Sequence, residues 1–158
     1  SIFFDLGQKE KVFKDCDRLI EIEKAEPLYQ NEDFYYNKRA HYHYLYGDYS
    51  KAVNDYTKFF ELNKNDVLTY NNLAWYTHLS GQSEEALKIC NKGIEVDPKV
   101  ALIYITRGEI KLGIGDKSEI ENGLGLNDKV GACEDWEKAK SLGDVQTVAS
   151  DFLIKYCK

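Results

Sequence analysis

The chain's 158 residues are 43% hydrophobic and 30% charged, with a net charge of −6 and an isoelectric point near 5.1. That balance excludes a membrane span, which needs about 18 uninterrupted apolar residues, and argues against a nucleic-acid surface, which would be basic and clustered. It leaves room for a basic partner, since acidic surfaces steer one, and the length suits a single domain with a sizeable core.

The chain contains no Met, so Ser1 is not expected to be a translational start. Residues upstream are expected to have been removed, and the compartment is therefore not legible. Ser1 to Leu6 reads as the tail of a helix, Leu6-Gly7-Gln8 as a turn, and Lys9 to Ile22 as the second helix of a pair. A six-residue excess around Ala25 to Asn31 contains Pro27, which interrupts helix. Residues 1–32 are thus a partial repeat and linker, whose open edge (Ile2, Phe3, Phe4, Val12 and Phe13) awaits more chain or a partner subunit.

From Asp33 a 34-residue period sets in. Tyr36 and Tyr70, Ala40 and Ala74, Gly47 and Gly81, and Ala52 and Ala86 all stand one period apart, and Tyr104, Gly108 and Gly115 continue the series. A fixed period of this length marks a repeat architecture. Numbering repeats from Asp33, Val67 and Ala101, a helix A is expected over positions 2 to 14 and a helix B over 18 to 30. Gly47-Asp48-Tyr49 and Gly81-Gln82-Ser83 form the turns between them, with Asp48 and Ser83 as candidate caps. Small residues at positions 8 and 20 let the helices approach; larger ones at 4 and 24 fill the remaining space. One such hairpin cannot bury both faces, so hairpins must stack.

The chain resembles the tetratricopeptide repeat on these residues, Tyr70, Leu73, Ala74, Ala86 and Asp97-Pro98 carrying the likeness best. Arg39 and Arg107 depart from it at position 7, Phe59 and Gly93 at position 27, and His43, Thr77 and Lys111 at position 11. The resemblance implies an all-α superhelix of stacked antiparallel pairs, with repeats at 33–66, 67–100 and 101–142. The third repeat carries about twelve extra residues, Lys117 to Asp128, which are either a binding-side loop or a tolerated surface excursion. Its helix B resumes at Lys129 and places Ala132, Trp136 and Ala139 at core positions. A last amphipathic helix over Val145 to Tyr156, within residues 143–158, is expected to cap the stack. The stretch from Ala132 to Asp144 resembles the closing repeat of small bacterial tetratricopeptide proteins.

No enzyme motif survives inspection. Gly113-Ile114-Gly115 lacks a third glycine and a preceding strand, and Asp116 to Asp128 lacks the alternating ligands of a calcium loop. No cofactor, catalytic residue or metal site is expected. His43 reads as a buried, hydrogen-bonded residue. His41, His78 and Glu109 face one groove but lack zinc-site spacing. Cys16 and Cys90 sit two repeats apart and read as small core residues. Cys133 and Cys157 lie toward one end of the last pair, where a bond is open to them but not expected.

In this family the concave surface is lined by helix A. Here that implies a partner-binding groove of Phe34, Asn37, His41 and Tyr44, then Leu68, Asn71, Asn72, Trp75 and His78, then Leu102, Ile105 and Glu109. The set is aromatic and apolar with a few amides, the composition of an interface. A peptide or helix of a partner protein is the expected occupant, with assembly through the N-terminal edge the alternative. Co-chaperone members of the family grip a C-terminal carboxylate with Lys, Asn, Asn, Lys and Arg at positions that are here Asn37, His41, Asn72, Leu102 and Thr106, so every cationic member is absent. Only Asn72 agrees, so that specificity is not expected.

Overall fold

The computed structural model describes residues 6–25, 32–63, 66–114, 127–143 and 146–157. Among them every regular element is an α-helix: α1 (Leu6–Ala25), α2 (Glu32–Leu45), α3 (Tyr49–Leu62), α4 (Val67–Leu79), α5 (Ser83–Val96), α6 (Ala101–Leu112), α7 (Lys129–Ser141) and α8 (Gln146–Tyr156). They fall into two compact units, Ser1–Leu62 and Asn63–Lys158.

In the first unit α2 packs against both α1 and α3. Ala40 and Ala52 are fully buried at the α2–α3 crossing, and Tyr56, Tyr36, Cys16 and Ile20 fill the space around them. The α2–α3 turn is made by Gly47 at φ +77°, a left-handed position where a Cβ would meet no neighbour but would strain the backbone. The carbonyl of Asp48 then accepts from Ala52 N at 3.0 Å, starting α3. The expected turn at Leu6-Gly7-Gln8 is corrected: α1 runs unbroken from Leu6 to Ala25. One helical glycine costs only about 1 kcal/mol, too little to break a helix by itself.

The second unit stacks α4–α5 and α6–α7 as antiparallel pairs, with α8 against α7. Its core joins Ala74, Ala86, Cys90, Ala101, Ile103, Ile110, Ala132, Trp136, Ala139 and Ala149. Burial of each large member stabilises by about 1.5–3 kcal/mol. Trp136 is the centre of its lower half: it stacks on Phe152 at 4.9 Å, meets Tyr156 at 5.8 Å and donates its indole N–H to the Ile105 carbonyl. Room for the indole exists because position 8 of this repeat is Gly108, where a Cβ would stand 2.5 Å from Trp136 Nε1. Gly93 plays the same role higher up, since a Cβ there would approach Tyr70 Cβ to 2.7 Å. The departure from Ala at position 27 is therefore a packing requirement.

Caps follow the sequence unevenly. Asp66 accepts from Leu68 N to start α4, and Asp128 accepts from Gly131 N to start α7. Ser83, a candidate cap from the turn sequence, does not cap α5. Gln82 holds the cap position without a side-chain bond, and the buried Ser83 hydroxyl instead meets His78 Nδ1 at 2.9 Å. Cys133 and Cys157 are joined in a disulfide, with Cα atoms 5.9 Å apart, tying α7 to the end of α8. The bond, open to the pair but not expected from the sequence, forms because antiparallel packing of α7 and α8 brings the two Cα atoms within the bridging range. Cys16 and Cys90 are free and buried, as expected. Residues 115–126, most of the insertion, and the 26–31 excess lie outside the described residues, as do Ile2, Phe3 and Phe4.

Candidate functional site

The A helices are α2, α4 and α6, and their sequence periodicity decides which side chains leave the core. Position 2 is a large apolar residue in every repeat and is solvent-facing each time: Phe34 is 50% exposed, Leu68 47% and Leu102 37%. A hydrophobic side chain left in water three times at one repeat position is an interaction signal rather than scatter.

In the first unit this face belongs to α2. His41 is exposed, Asn37 and Tyr44 are half-buried, and His41 lies beside Tyr44 with ring centres 6.1 Å apart. The Lys38 ammonium sits over the Phe34 ring at 5.2 Å, an aromatic–cation pair that periodicity alone does not show. In the second unit α4 and α6 pack side by side. Leu68, Asn72 and Leu102 are exposed there, and Trp75 and Glu109 are half-buried. Asn71, His78 and Ile105 are buried, so they support the face from beneath. His78 is a correction to the expected groove surface. It has no exposed area, and its ring nitrogens meet the Ser83 hydroxyl at 2.9 Å and the Ile114 carbonyl at 3.0 Å. Among the described residues no group of His, Cys, Asp and Glu is placed to hold a metal ion, and no helix is long and apolar enough to cross a membrane.

Two acceptors on this α4–α6 face are unmatched. Asn71 Oδ1 is buried without a hydrogen-bond partner, although its amide nitrogen reaches Asn72 Oδ1 at 3.3 Å. Burial also pushes the Glu109 carboxyl up to about 7, with no charged neighbour contributing. The cations of α6 are turned the other way. Arg107 donates to Asp135 and to Asn91 Oδ1, and Lys111 Nζ lies 2.9 Å from the same Asp135 carboxylate.

That buried network has a twin in the first unit. Arg39 donates to Asp55 through Nε at 2.7 Å and Nη2 at 2.6 Å, and also to Asp17. The position occupied by Lys111 is there His43, whose ring stacks on Phe13 at 4.3 Å. His43 is half-buried rather than the buried, hydrogen-bonded residue expected, and its Nδ1 has no hydrogen-bond partner. Asp48 and Asp55 lie at 3.7 and 3.6 Å, yet burial outweighs them and pulls its pKa down. These residues line a polar cleft of about 610 Å³ with Lys9, Lys51 and Asn54. Its lining consists largely of ion pairs, a structural rather than a reactive arrangement.

Residues 55–88 match the tetratricopeptide repeat profile. No curated protein matches the chain. Solved structures do: the first TPR of Spaghetti (RPAP3) bound to the HSP90 peptide SRMEEVD shares 17% identity over 80% of this chain and 91% of that one, with a TM-score of 0.64. The chain has the tetratricopeptide-repeat fold. The Sgt2 TPR domain from Aspergillus fumigatus agrees at 21% identity, covering 80% of this chain and 77% of that one, TM-score 0.64. The second TPR domain of human RPAP3, in complex with the HSP70 peptide SGPTIEEVD, agrees at 22% identity over 78% and 92%, TM-score 0.61. Within the tetratricopeptide frame, four departures at positions 7 and 11 acquire a cause: Arg39 and His43 lie against the buried Asp55 of α3, and Arg107 and Lys111 against the buried Asp135 of α7.

Proposed function

We propose that the chain is a non-enzymatic interaction module whose A-helix faces capture a peptide or helix of a partner protein. The observation that carries this reading is the triple exposure of Phe34, Leu68 and Leu102 at one repeat position. Tyr44 on α2 and Trp75 on α4 supply half-buried aromatic anchors on the same helices. Structures of like fold hold peptides of HSP90 and HSP70, which supports peptide capture as the use of the face. Likeness of Ala132 to Asp144 to the closing repeat of small bacterial members supports placing the chain among them.

Selection from a random peptide display library tests the reading. The full chain should enrich binders that a Phe34→Ser, Leu68→Ser, Leu102→Ser variant does not retain. Circular dichroism and melting of that variant should stay near wild type, because all three side chains are exposed. Equal enrichment on both proteins would remove the A-helix faces from consideration.

A second reading, self-association through α1, is favoured by the exposure of Leu19 and Ile22 on that helix. Of the edge residues named from sequence, Phe13 stacks on His43 instead of facing outward. Concentration-dependent dimers abolished by Leu19→Ser, Ile22→Ser would support this alternative.

A further inference from the structure

We propose that the α4–α6 face selects a partner segment carrying a lysine or arginine among apolar residues, with Glu109 as the acceptor of that cation. The inference rests on the proposed peptide capture and adds the chemistry of the captured segment.

Glu109 lies on the stripe Leu102, Ile105, Glu109, Leu112 of α6, spaced three and four apart and so on one side of the helix. It is the single charge on that stripe and is half-buried. Across from it α4 contains no Lys or Arg, and its histidine, His78, is buried and bonded at both nitrogens. Both cations of α6, Arg107 and Lys111, are held by Asp135 on α7. No described residue therefore answers the Glu109 charge. Asn71 Oδ1 is a second unmatched acceptor on α4, in a residue 6% exposed. Glu109, half-buried and without a donor, asks for a partner that brings N–H groups and positive charge, while Asn71 Oδ1 adds an unanswered acceptor dipole beneath the face. Burial alone raises the Glu109 carboxyl, so an incoming ammonium or guanidinium restores its charged form. The net charge of −6 steers such a partner on approach. Acidic segments, like the Glu-Glu-Val-Asp ends of the peptides bound by RPAP3 domains, would meet like charge here.

The test is the same random display selection, run at pH 8 on wild type and on Glu109→Gln. Wild-type binders should be enriched in Lys or Arg flanked by apolar residues and depleted in Asp and Glu. Glu109→Gln should still return apolar binders, without the basic preference. One selected peptide is then titrated against both proteins. Its affinity should fall about ten-fold or more on Glu109→Gln, the scale of one charge-assisted hydrogen bond. With its basic residue replaced by norleucine, the peptide should bind both proteins equally. Enrichment with no basic preference would overturn the cation assignment while leaving peptide capture intact. Failure to enrich any peptide would overturn both.

Discussion

Arg39 and Asp55 are joined by two guanidinium nitrogens in the first unit, and Arg107 and Asp135 repeat the grip in the second. Both carboxylates are nearly inaccessible, 4% and 5% exposed. The two pairs are separated by 16 and 28 residues in sequence, and the twelve-residue difference is the length of the insertion in the third repeat. The repeat between them carries Leu73 and Ile89 at the corresponding positions, so the fold accepts either a matched ion pair or a matched apolar pair.

Removing one partner of such a pair strands a buried charge, which costs about 3–5 kcal/mol. Arg39→Leu alone should therefore destabilise the protein strongly. Arg39→Leu combined with Asp55→Ile, the pair the middle repeat uses, should recover most of that loss. Denaturant unfolding of the two variants checks this; additive losses would show that the pair is not an interchangeable unit.

Gly108→Ala should cost about 1–3 kcal/mol by overpacking, because the added methyl enters the volume of the Trp136 indole. The loss should appear as a lower melting temperature with altered Trp136 fluorescence. Ala at this position is ordinary elsewhere in the chain, at Ala40 and Ala74, where position 24 is Tyr56 or Cys90. A neutral result would mean that the Trp136 ring has slack to move.

Two titrations act in opposite directions. His43 has its pKa lowered by burial, so the fold holds fewer protons than the unfolded chain. The stability this contributes is present above about 6.5 and is lost as pH falls through that range. Glu109 has its pKa raised to about 7 from 4.5, so its contribution is present below 4.5 and is lost as pH rises toward 7. Glu109→Gln should match wild type near pH 4 and be the more stable protein near pH 8. His43→Gln should lose less stability than wild type between pH 7.5 and 5. Melting temperatures across that range provide the check, and pH-independent differences would contradict both assignments.

Unfolded protein without reductant should titrate two thiols, Cys16 and Cys90, because Cys133 and Cys157 are paired. In the native state both free thiols should resist alkylation at pH 8, since burial raises Cys16 and pushes Cys90 up to about 12. Reduction should destabilise the second unit by about 3 kcal/mol, the loop-entropy scale for a bridge spanning roughly two dozen residues, with α8 exchanging its amides first. Four thiols in the unfolded, unreduced protein would remove the bridge.

The phase of the 34-residue period made much of the fold legible: α2 to α7 begin and end close to where the Gly turns and small-residue positions put them. Gly7 escaped it because a single glycine costs a helix only about 1 kcal/mol and does not by itself force a turn. The bridge between Cys133 and Cys157 escaped because α8 lies beyond the last complete period, leaving its register on α7 unspecified. The Arg–Asp pairs were in reach, since Arg39 and Arg107 had already broken the pattern at position 7. Their partners lay at one shared helix B position, hidden only by the insertion. On the candidate face, period placed Leu68, Trp75, Leu102 and Glu109 on helix A. It could not foresee that His78 turns inward to Ser83 and Ile114, because that bond depends on where α6 ends.

Peptide capture on the α4–α6 face is tested most directly by proton–nitrogen NMR of the labelled full chain titrated with a display-selected peptide. The account predicts shifts concentrated at Leu68, Asn72, Leu102 and Glu109 and at the Trp75 indole N–H, with the Trp136 indole unmoved. Shifts concentrated instead on the outer residues of α5 and α7, such as Glu85, Lys88 and Lys138, would contradict it.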